Sequence, residues 1–242
     1  MNLRDKHLLV TGGSAGIGLA LTRALLDAGA RVTICGRRQA ALDAACEALG
    51  EGARAVRADL TDAGDRAALA REVTAVGLDG LINNAASQQL MDFTAPAQER
   101  AVAREIALNL TAPVLLTDAL LPHLMARPQA AVVNITSGLA LTPKRSAPVY
   151  CATKAGLRSF TKALRWQLDG TGVRVMEVLP PVVDTEMTAG RGANKLTPEQ
   201  VAGAIVAGLR ADRDEVRVGK VKLLFAVQRL SPALAERILR DA

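Results

Sequence analysis

The feature that most constrains the fold of this 242-residue chain is the glycine-rich turn at residues 11–18, which reads Thr-Gly-Gly-Ser-Ala-Gly-Ile-Gly. A short apolar run at 7–11 leads into it, as in a buried strand, and leucines at helical spacing follow it. In such a turn Gly12 permits a sharp bend, Gly16 lets the backbone approach a pyrophosphate and Gly18 lets the helix pack closely on the strand. The segment therefore predicts a dinucleotide-binding strand–turn–helix unit, whose helix start attracts phosphate.

The rest of the chain alternates between strand-like and helix-like segments. Strands are predicted at 7–11, 31–35, 53–57, 79–83, 130–136, 172–179 and 214–218. This alternation is typical of an α/β protein with a doubly wound, mostly parallel, seven-stranded sheet flanked by helices, a Rossmann-like fold. The length suits one domain, 1–242. Within it we expect a substrate lid and helix at 186–210, mobile over 186–198, and a helical tail at 220–242.

The only tyrosine in the chain, Tyr150, lies four residues before Lys154 and thirteen residues after Ser137. On a helix, positions i and i+4 share a face, so the phenol and the ammonium group can enter one cleft. A free tyrosine has a pKa of about 10. A neighbouring cation favours the phenolate and lowers that pKa, so we expect a pair suited to general acid–base chemistry.

Several motifs in the same order resemble the short-chain dehydrogenase/reductase family. Residues 11–18 match its Thr-Gly-x-x-x-Gly-x-Gly motif, and 83–86 resemble its Asn-Asn-Ala-Gly motif with alanine in the last place. The resemblance implies an NAD(P)(H)-dependent oxidoreductase that interconverts a carbonyl and an alcohol on a small molecule, with Tyr150 as the general acid and base. The implied catalytic residues are Asn109, Ser137, Tyr150 and Lys154.

The same resemblance implies a set of cofactor contacts. Asp59 and Leu60 match the pair that contacts the adenine, and Asn83 is expected to pin the fourth strand and the ribose. Val183 and Thr185 follow the sixth strand, where the family engages the nicotinamide carboxamide. The full expected cofactor set is Gly12, Ser14, Gly16, Ile17, Gly18, Arg37, Arg38, Asp59, Leu60, Asn83, Ala85, Tyr150, Lys154, Val183 and Thr185.

The residues after the predicted second strand bear on the choice of cofactor. An acidic residue there would bind the ribose 2′-hydroxyl of NAD and repel a 2′-phosphate, but the chain has Arg37 and Arg38. A guanidinium group suits phosphate, so NADP(H) is favoured. NAD(H) stays open, because relatives that prefer NADP often carry a basic residue before the second motif glycine, where this chain has Ala15.

A subgroup is also indicated. The segment 180–187, Pro-Pro-Val-Val-Asp-Thr-Glu-Met, followed by Arg191-Gly192 and by 197–201, is similar to the DltE-like bacterial oxidoreductases. The alanine at 86 and the tail after Gly219 differ from the acyl-carrier-protein reductases. The subgroup does not define a substrate, because the cleft walls come from the variable segments.

Composition excludes several other classes. The formal net charge of +6 comes from scattered arginines with no aromatic-interleaved basic patch, so no nucleic-acid partner is expected. The three cysteines have no metal-ligand spacing and form no even disulfide set, so no metal site is expected and a reducing cytoplasm is predicted. The sequence contains no run of 18 apolar residues, so no integral membrane span is expected.

Two other functions and the oligomeric state also follow from the sequence as hypotheses. The same fold occurs in a catalytically silent, NADP-sensing binding protein, although such proteins typically lack the tyrosine or the lysine. A nucleotide-sugar epimerase or dehydratase is disfavoured by the short C-terminal part.

Helical stretches at 96–127 and 150–170 carry apolar residues outside the stripe that faces the sheet, Val114 and Leu115 among them. A homodimer or homotetramer is therefore expected. The basic, amphipathic tail caps the fold, extends an interface or rests on an acidic membrane surface.

Overall fold

The sheet follows the predicted order of strands. A computed structural model describes residues 1–190, 192 and 194–241. Arg191 and Ala193 of the predicted lid, and Ala242 of the tail, lie outside the described residues. The strands are β1 His7–Thr11, β2 Arg31–Gly36, β3 Ala53–Arg57, β4 Gly80–Asn83, β5 Ala130–Ile135, β6 Val173–Leu179 and β7 Glu215–Arg217. They form one sheet in the order β3-β2-β1-β4-β5-β6-β7, and every neighbouring pair is parallel. The predicted doubly wound fold is confirmed.

Helices cover both faces of this sheet. They are α1 Gly16–Asp27, α2 Gln39–Leu49, α3 Ala63–Ala75, α4 Glu99–Ile106, α5 Ala112–Met125, α6 Pro148–Gln167, α7 Pro198–Arg210, α8 Val221–Leu230 and α9 Pro232–Leu239. One core lies under α1, α2 and α7, and a second lies under α3, α5 and α6. Because both faces are covered, the central strands are apolar without alternation, and all six residues of β5 are buried.

The chain winds outward twice from the middle of the sheet. It runs from β1 to β2 and β3 at one edge, then returns to β4 on the other side of β1 and continues to β7. The reversal between β1 and β4 leaves a crevice at the carboxyl ends of these strands, which is where doubly wound sheets bind ligands. Thr11 closes the junction: its hydroxyl oxygen accepts from the backbone N–H groups of Asn84 (2.9 Å) and Ala85 (3.0 Å) and donates to the carbonyl of Ile82 (3.2 Å).

A continuous helical stretch runs through α4, a π-helical turn at Ala107–Thr111, and α5. Among the described residues, this stretch, Glu99–Met125, has the length and apolar composition of a membrane span. One side of it is core, because Leu116, Leu120 and Leu124, spaced four residues apart on one helix face, pack on the sheet. Leu115, on another side of α5, is 42% exposed.

The tail forms α8 and α9, which are separated at Ser231 as the Ser-Pro pair predicts. Val221 and Leu224 of α8 lie against Gly138, since a Cβ added there would come within 3.3 Å of the Val221 side chain and 3.4 Å of Leu224. Leu230, at the end of α8, is 86% exposed. The tail therefore covers the turn that follows β5 and also presents apolar side chains to the outside.

Candidate active site

The turn between β1 and α1 forms the floor of the cleft. Gly12 and Gly16 have φ angles of +65° and +52°, which other residues adopt only with strain. Ala15 precedes α1 in an extended conformation, and no described side chain caps the helix start. The first N–H groups of α1 are therefore left for an anion, and the helix dipole favours negative charge at the same place.

Two further glycines allow this turn to approach its neighbours. A Cβ at Gly18 would lie 2.2 Å from the carbonyl oxygen of Gly12, so α1 is in direct backbone contact with the turn, in line with the predicted packing role. A Cβ at Gly13 would lie 2.3 Å from the Ile34 side chain. The sequence reasoning missed Gly13, although its place inside the motif was the available signal.

Asn83, at the end of β4, and Asn84, which follows it, face opposite sides, and Asn83 does not reach the cleft as the sequence predicted. Asn83, predicted to reach the ribose, points into the core, where its amide donates to Asn134 (2.8 Å) and Thr117 (3.2 Å). It pins β4, but it does not line the cleft. Asn84 lines the cleft and donates to the carbonyls of Thr11 (2.9 Å) and Gly12 (3.3 Å). Successive side chains of a strand point to opposite faces, and the sequence alone did not fix which asparagine faces outward.

Ser137, Tyr150 and Lys154 meet on one wall of the cleft. Ser137 follows β5 and caps a short 3₁₀ turn, Gly138–Ala140, accepting from the Leu139 N–H at 3.1 Å. Tyr150 and Lys154 lie one turn apart on α6, and the lysine nitrogen is 5.7 Å from the centre of the phenol ring. Lys154 is buried and donates to the carbonyl of Ile135 at 2.8 Å.

The electrostatics of this group differ from the sequence expectation. Although Tyr150 stays partly accessible from the cleft, burial raises its pKa to about 12, and a hydrogen bond with Ser137 offsets only part of the rise. Burial also lowers the pKa of Lys154 to about 8. The prediction that Lys154 holds the tyrosine pKa down is therefore wrong for this structure, because desolvation disfavours both charged forms. The phenol keeps its proton at neutral pH.

Asn109 lies behind the cleft wall, inside the π-helical turn. It is fully buried, accepts from the Ser87 N–H (2.9 Å) and donates to the Ser87 carbonyl (2.8 Å) and, more weakly, to the Thr153 hydroxyl (3.4 Å). Turns of this kind inside α-helices often mark functional sites. Here the extra residue places Asn109 where it holds the backbone that follows Ala86.

A partly buried ion pair supports the strand that leads to Ser137. The hydroxyl of Thr136 donates to Glu177 (2.7 Å), and Arg158 of α6 donates to the other oxygen of that carboxylate (2.5 Å). Burial raises the pKa of Glu177, while the Thr136 hydroxyl and the Arg158 charge act against that rise. Arg158 also stacks over Phe225 of α8, which connects the tail to the strand that leads to Ser137. The sequence reasoning missed this group.

The far end of the cleft carries the basic pair. Arg37 and Arg38 are exposed and line the cleft together with Leu60. The Asp59 side chain is instead turned to Thr61, accepting from its N–H (2.9 Å) and its hydroxyl (2.7 Å). Burial opposes ionisation of Asp59, but these bonds and the charge of Arg37 hold its pKa below the usual value.

The near end is closed by the chain after β6. Val183 and Thr185 line the cleft as predicted, and so do Glu186, Met187 and Thr188 of a short 3₁₀ turn. The backbone of Asp184 is tied to Leu196, whose carbonyl accepts its N–H at 2.8 Å. Thr197 caps α7 by accepting from the Gln200 N–H, and Pro198 stands at the start of the helix. The part of the chain that the structure describes holds no cluster of three or more potential metal ligands.

Comparison with known proteins identifies the family to which this chain belongs. The short chain dehydrogenase family matches residues 6–196. The chain belongs to the short-chain dehydrogenase family. It is 39% identical to the oxidoreductase DltE of Bacillus subtilis (strain 168) over 92% of this chain and 91% of that protein. This agrees with the subgroup that the 180–187 segment indicated.

Solved structures show the same fold. A short chain dehydrogenase from Burkholderia cenocepacia J2315, in complex with NADP, superposes with a TM-score of 0.89 at 26% identity over 99% of both chains. One from Burkholderia phymatum, in complex with NAD, superposes with a TM-score of 0.86 at 18% identity over 95% of this chain and 96% of that one. This short-chain dehydrogenase thus shares its fold with proteins that bind either cofactor.

The cleft of this short-chain dehydrogenase fits a nicotinamide dinucleotide by its own geometry. A Cβ at Gly16 would come within 3.0 Å of the Thr185 side chain, so the two walls approach each other over bare backbone. Free N–H groups at the start of α1 suit a pyrophosphate, and the guanidinium of Arg37 suits a further phosphate at the far end. Of the predicted site residues, those lining the cleft are Gly12, Ser14, Gly16, Ile17, Arg37, Arg38, Leu60, Ala85, Ser137, Tyr150, Lys154, Val183 and Thr185.

The glycine contacts lead to a matched pair of substitutions. Gly18→Ala should lower the free energy of unfolding by about 1–3 kcal/mol, because the added methyl overlaps the Gly12 carbonyl. Gly203→Ala, on α7, has no described atom within 4 Å of the added methyl and should raise stability by about 0.5–1 kcal/mol, since glycine is unfavourable in a helix interior. Urea unfolding measures both. Equal effects of the two changes would show that the turn is not tightly packed.

Proposed function

We propose that this protein is an NADP(H)-preferring oxidoreductase that interconverts a carbonyl and an alcohol on a small molecule, with Tyr150 as the general acid and base. The observation that carries the proposal is the meeting of Ser137, Tyr150 and Lys154 on one wall of a cleft floored by the glycine turn. Family membership supports the reaction class.

The chain's own groups supply the acid–base part of the reaction. When bound, the reduced nicotinamide provides a hydride for the carbonyl carbon. Tyr150 keeps its proton at neutral pH and donates it to the carbonyl oxygen as negative charge develops there. In the oxidative direction the same phenol accepts the alcohol proton. The Ser137 hydroxyl, which shares the cleft wall with Tyr150, stabilises that oxygen by hydrogen bonding.

Lys154 and Asn109 support the proton exchange of Tyr150 without contacting the substrate. Lys154 donates to the Ile135 carbonyl, and its remaining N–H groups suit the ribose hydroxyls of the cofactor. Burial lowers the pKa of Lys154 to about 8, so its ammonium group stays largely charged at neutral pH but releases a proton more readily than that of a free lysine. The family resemblance gives Asn109 the task of holding a water that links Lys154 to solvent, and its burial beside α6 suits that task.

The preference for NADP(H) rests on the far end of the cleft. Arg37 and Arg38 stand after β2 with no acidic residue in the place that binds a free ribose hydroxyl. A structural relative at 26% identity contains NADP, and another at lower identity contains NAD. The arginine pair therefore supports the proposed preference for NADP(H). A catalytically silent, cofactor-sensing protein is less well supported, since all four catalytic residues are present.

We also infer that copies of this chain associate through the outer faces of α5 and α6. Leu115 of α5 is 42% exposed and Trp166 of α6 is 67% exposed, and both helices cover the same face of the sheet. A homodimer or homotetramer would bury such a surface. The three cysteines are free thiols, and the cytoplasm remains the expected compartment.

The first test concerns the proton donor. Tyr150→Phe removes the phenol oxygen and keeps the ring, so NADPH binding should persist while turnover of carbonyl compounds falls by roughly 10²–10⁴-fold, the contribution of general acid catalysis. NADPH oxidation across a panel of aldehydes and ketones measures turnover, and calorimetry measures binding. A kcat close to that of the parent would refute the role of Tyr150, and a parent that oxidises no NADPH would favour the sensing alternative.

The second test concerns the cofactor. Arg37→Asp should weaken NADPH binding roughly 10- to 100-fold, because a charged hydrogen bond to phosphate is lost and a like charge is added, and it should favour NADH in relative terms. Arg71→Asp, an exposed change on α3, serves as a charge-matched control and should leave both affinities unchanged. Calorimetry that gave tighter NADH than NADPH binding in the parent would contradict the proposal.

The third test concerns assembly. Leu115→Arg places a charge on the proposed interface and should convert the oligomer to monomers without unfolding them. Val76→Arg, at a residue of similar exposure after α3, should leave the assembly intact. Light scattering at micromolar concentration gives the masses. A monomeric parent would rule the oligomer out, and tight binding of that monomer to anionic vesicles would point to the membrane role of the basic tail.

A further inference from the structure

Glu105 is a carboxyl group inside the protein that the proposed reaction does not use. It lies on α4, one helical turn before Asn109, and has no exposed surface. One oxygen accepts the backbone N–H of Gln89 at 3.2 Å. The other, Oε2, is buried and has no hydrogen-bond partner among the described residues. An ionised carboxylate with a bare oxygen in such a place is very costly, whereas a protonated one is tolerated.

Glu105 and Asn109 both hydrogen-bond to the backbone of the segment that follows Ala86. Asn109 makes two hydrogen bonds to Ser87, and Glu105 makes one to Gln89, two residues further on. Beyond them, Met91 donates its N–H to the Ser146 carbonyl at 3.0 Å, just before α6 begins. The segment 87–91 continues directly from Ala86, which lines the cleft. It is thus fastened from the helix side at two points and from the α6 side at a third.

We propose that Glu105 is a positioning residue of the active site: as a neutral carboxylic acid it fixes the substrate-side wall 87–91 through the Gln89 backbone and keeps negative charge away from Tyr150. It acts through the wall and through the phenol, not on the reacting atoms.

The surroundings of Glu105 support the neutral form. Burial raises the pKa of its carboxyl, and the bond from Gln89 offsets only part of this. The titratable groups facing it are Tyr150 and Cys151 of α6, and burial raises the pKa of both. The wall 86–91 contains no charged residue. Because burial raises the pKa of Tyr150 and of Cys151, both groups stay neutral between pH 5 and 8 and bring no negative charge towards Glu105.

The role has a pH signature with a definite sign. Since the pKa of Glu105 is higher in the folded protein than in the unfolded chain, its contribution to stability is complete below the unfolded value, about 4.3 for a free glutamate. That contribution is lost as the pH rises through the folded value. Ionised Glu105 would also oppose the Tyr150 phenolate, because the carboxylate raises the pKa of the phenol.

The test uses two substitutions and a control. Glu105→Gln has the shape of the neutral acid and keeps an oxygen for the Gln89 N–H. Glu105→Leu removes that acceptor and leaves the N–H unsatisfied. Glu99→Gln, an exposed change on the same helix, removes one negative charge without touching the wall.

Hydrogen exchange at the Gln89 amide, followed by NMR, tests the grip without any substrate. We expect protection in the parent, in Glu99→Gln and in Glu105→Gln, and a loss of protection on the order of tenfold or more in Glu105→Leu, the size expected for one buried hydrogen bond. Equal protection in Glu105→Leu would overturn the positioning role.

Urea unfolding at pH 5 to 8 tests the protonation state in the full chain. The parent and Glu99→Gln should lose stability as the pH rises, and Glu105→Gln should lose less, because an amide does not ionise. If the Glu105→Gln protein shows the same pH slope as the parent, the neutral carboxylic acid is refuted. This readout remains available if Glu105→Leu fails to fold.

The catalytic consequence rests on the proposed function. For a carbonyl compound that the parent reduces with NADPH, Glu105→Leu should raise KM on the order of tenfold with a smaller change in kcat, and Glu105→Gln should restore KM. An unchanged KM in Glu105→Leu would overturn the link to the substrate wall. Absence of turnover in the parent would instead count against the proposed oxidoreductase, while exchange and pH dependence would still decide on Glu105.

Discussion

The site depends on the direct backbone contact between the turn after β1 and the start of α1. Gly18 brings α1 against the Gly12 carbonyl, with room for no side chain between them. Asn84 donates to the carbonyls of Thr11 and Gly12, and the Thr11 hydroxyl receives two N–H groups from the chain after β4. These contacts join both sides of the strand-order reversal at one point. The helix N-terminus, the glycine floor and the wall after β4 therefore have fixed positions relative to one another.

Burial, more than charge pairing, sets the pKa values of Tyr150 and Lys154. Lys154 is too deeply buried to hold its charge firmly, and Tyr150 is too desolvated to release its proton readily. Desolvation disfavours the charged form of both groups, although the Lys154 ammonium still predominates at neutral pH. A phenol in this state is suited to giving up its proton only when an oxygen anion forms beside it. The same desolvation applies to Glu105 behind the wall, so the acid–base chemistry and its support depend on one apolar surrounding.

The strand that leads to Ser137 is supported from the tail as well as from the core. Thr136, next to Ser137, donates to Glu177, whose other oxygen receives Arg158. Arg158 lies against Phe225 of α8, and the same helix covers Gly138. The residues after β7 are therefore part of the structure that places Ser137. This contact gives the tail a structural task in addition to any surface role of its exposed leucines.

The sequence by itself determined the fold and most of the site. All seven strands and the positions of Ser137, Tyr150 and Lys154 could be predicted, because buried apolar runs, glycine turns and helical spacing are local properties of the chain. Only the tertiary structure decided that Asn84, not Asn83, faces the cleft, since the facing depends on where β4 joins β1 and β5. It also decided the pKa directions at Tyr150 and Lys154. The sequence showed two groups near each other, whereas desolvation depends on every element packed around them. The role of Glu105 could not be predicted for the same reason, because its burial against the segment 87–91 depends on the folded chain.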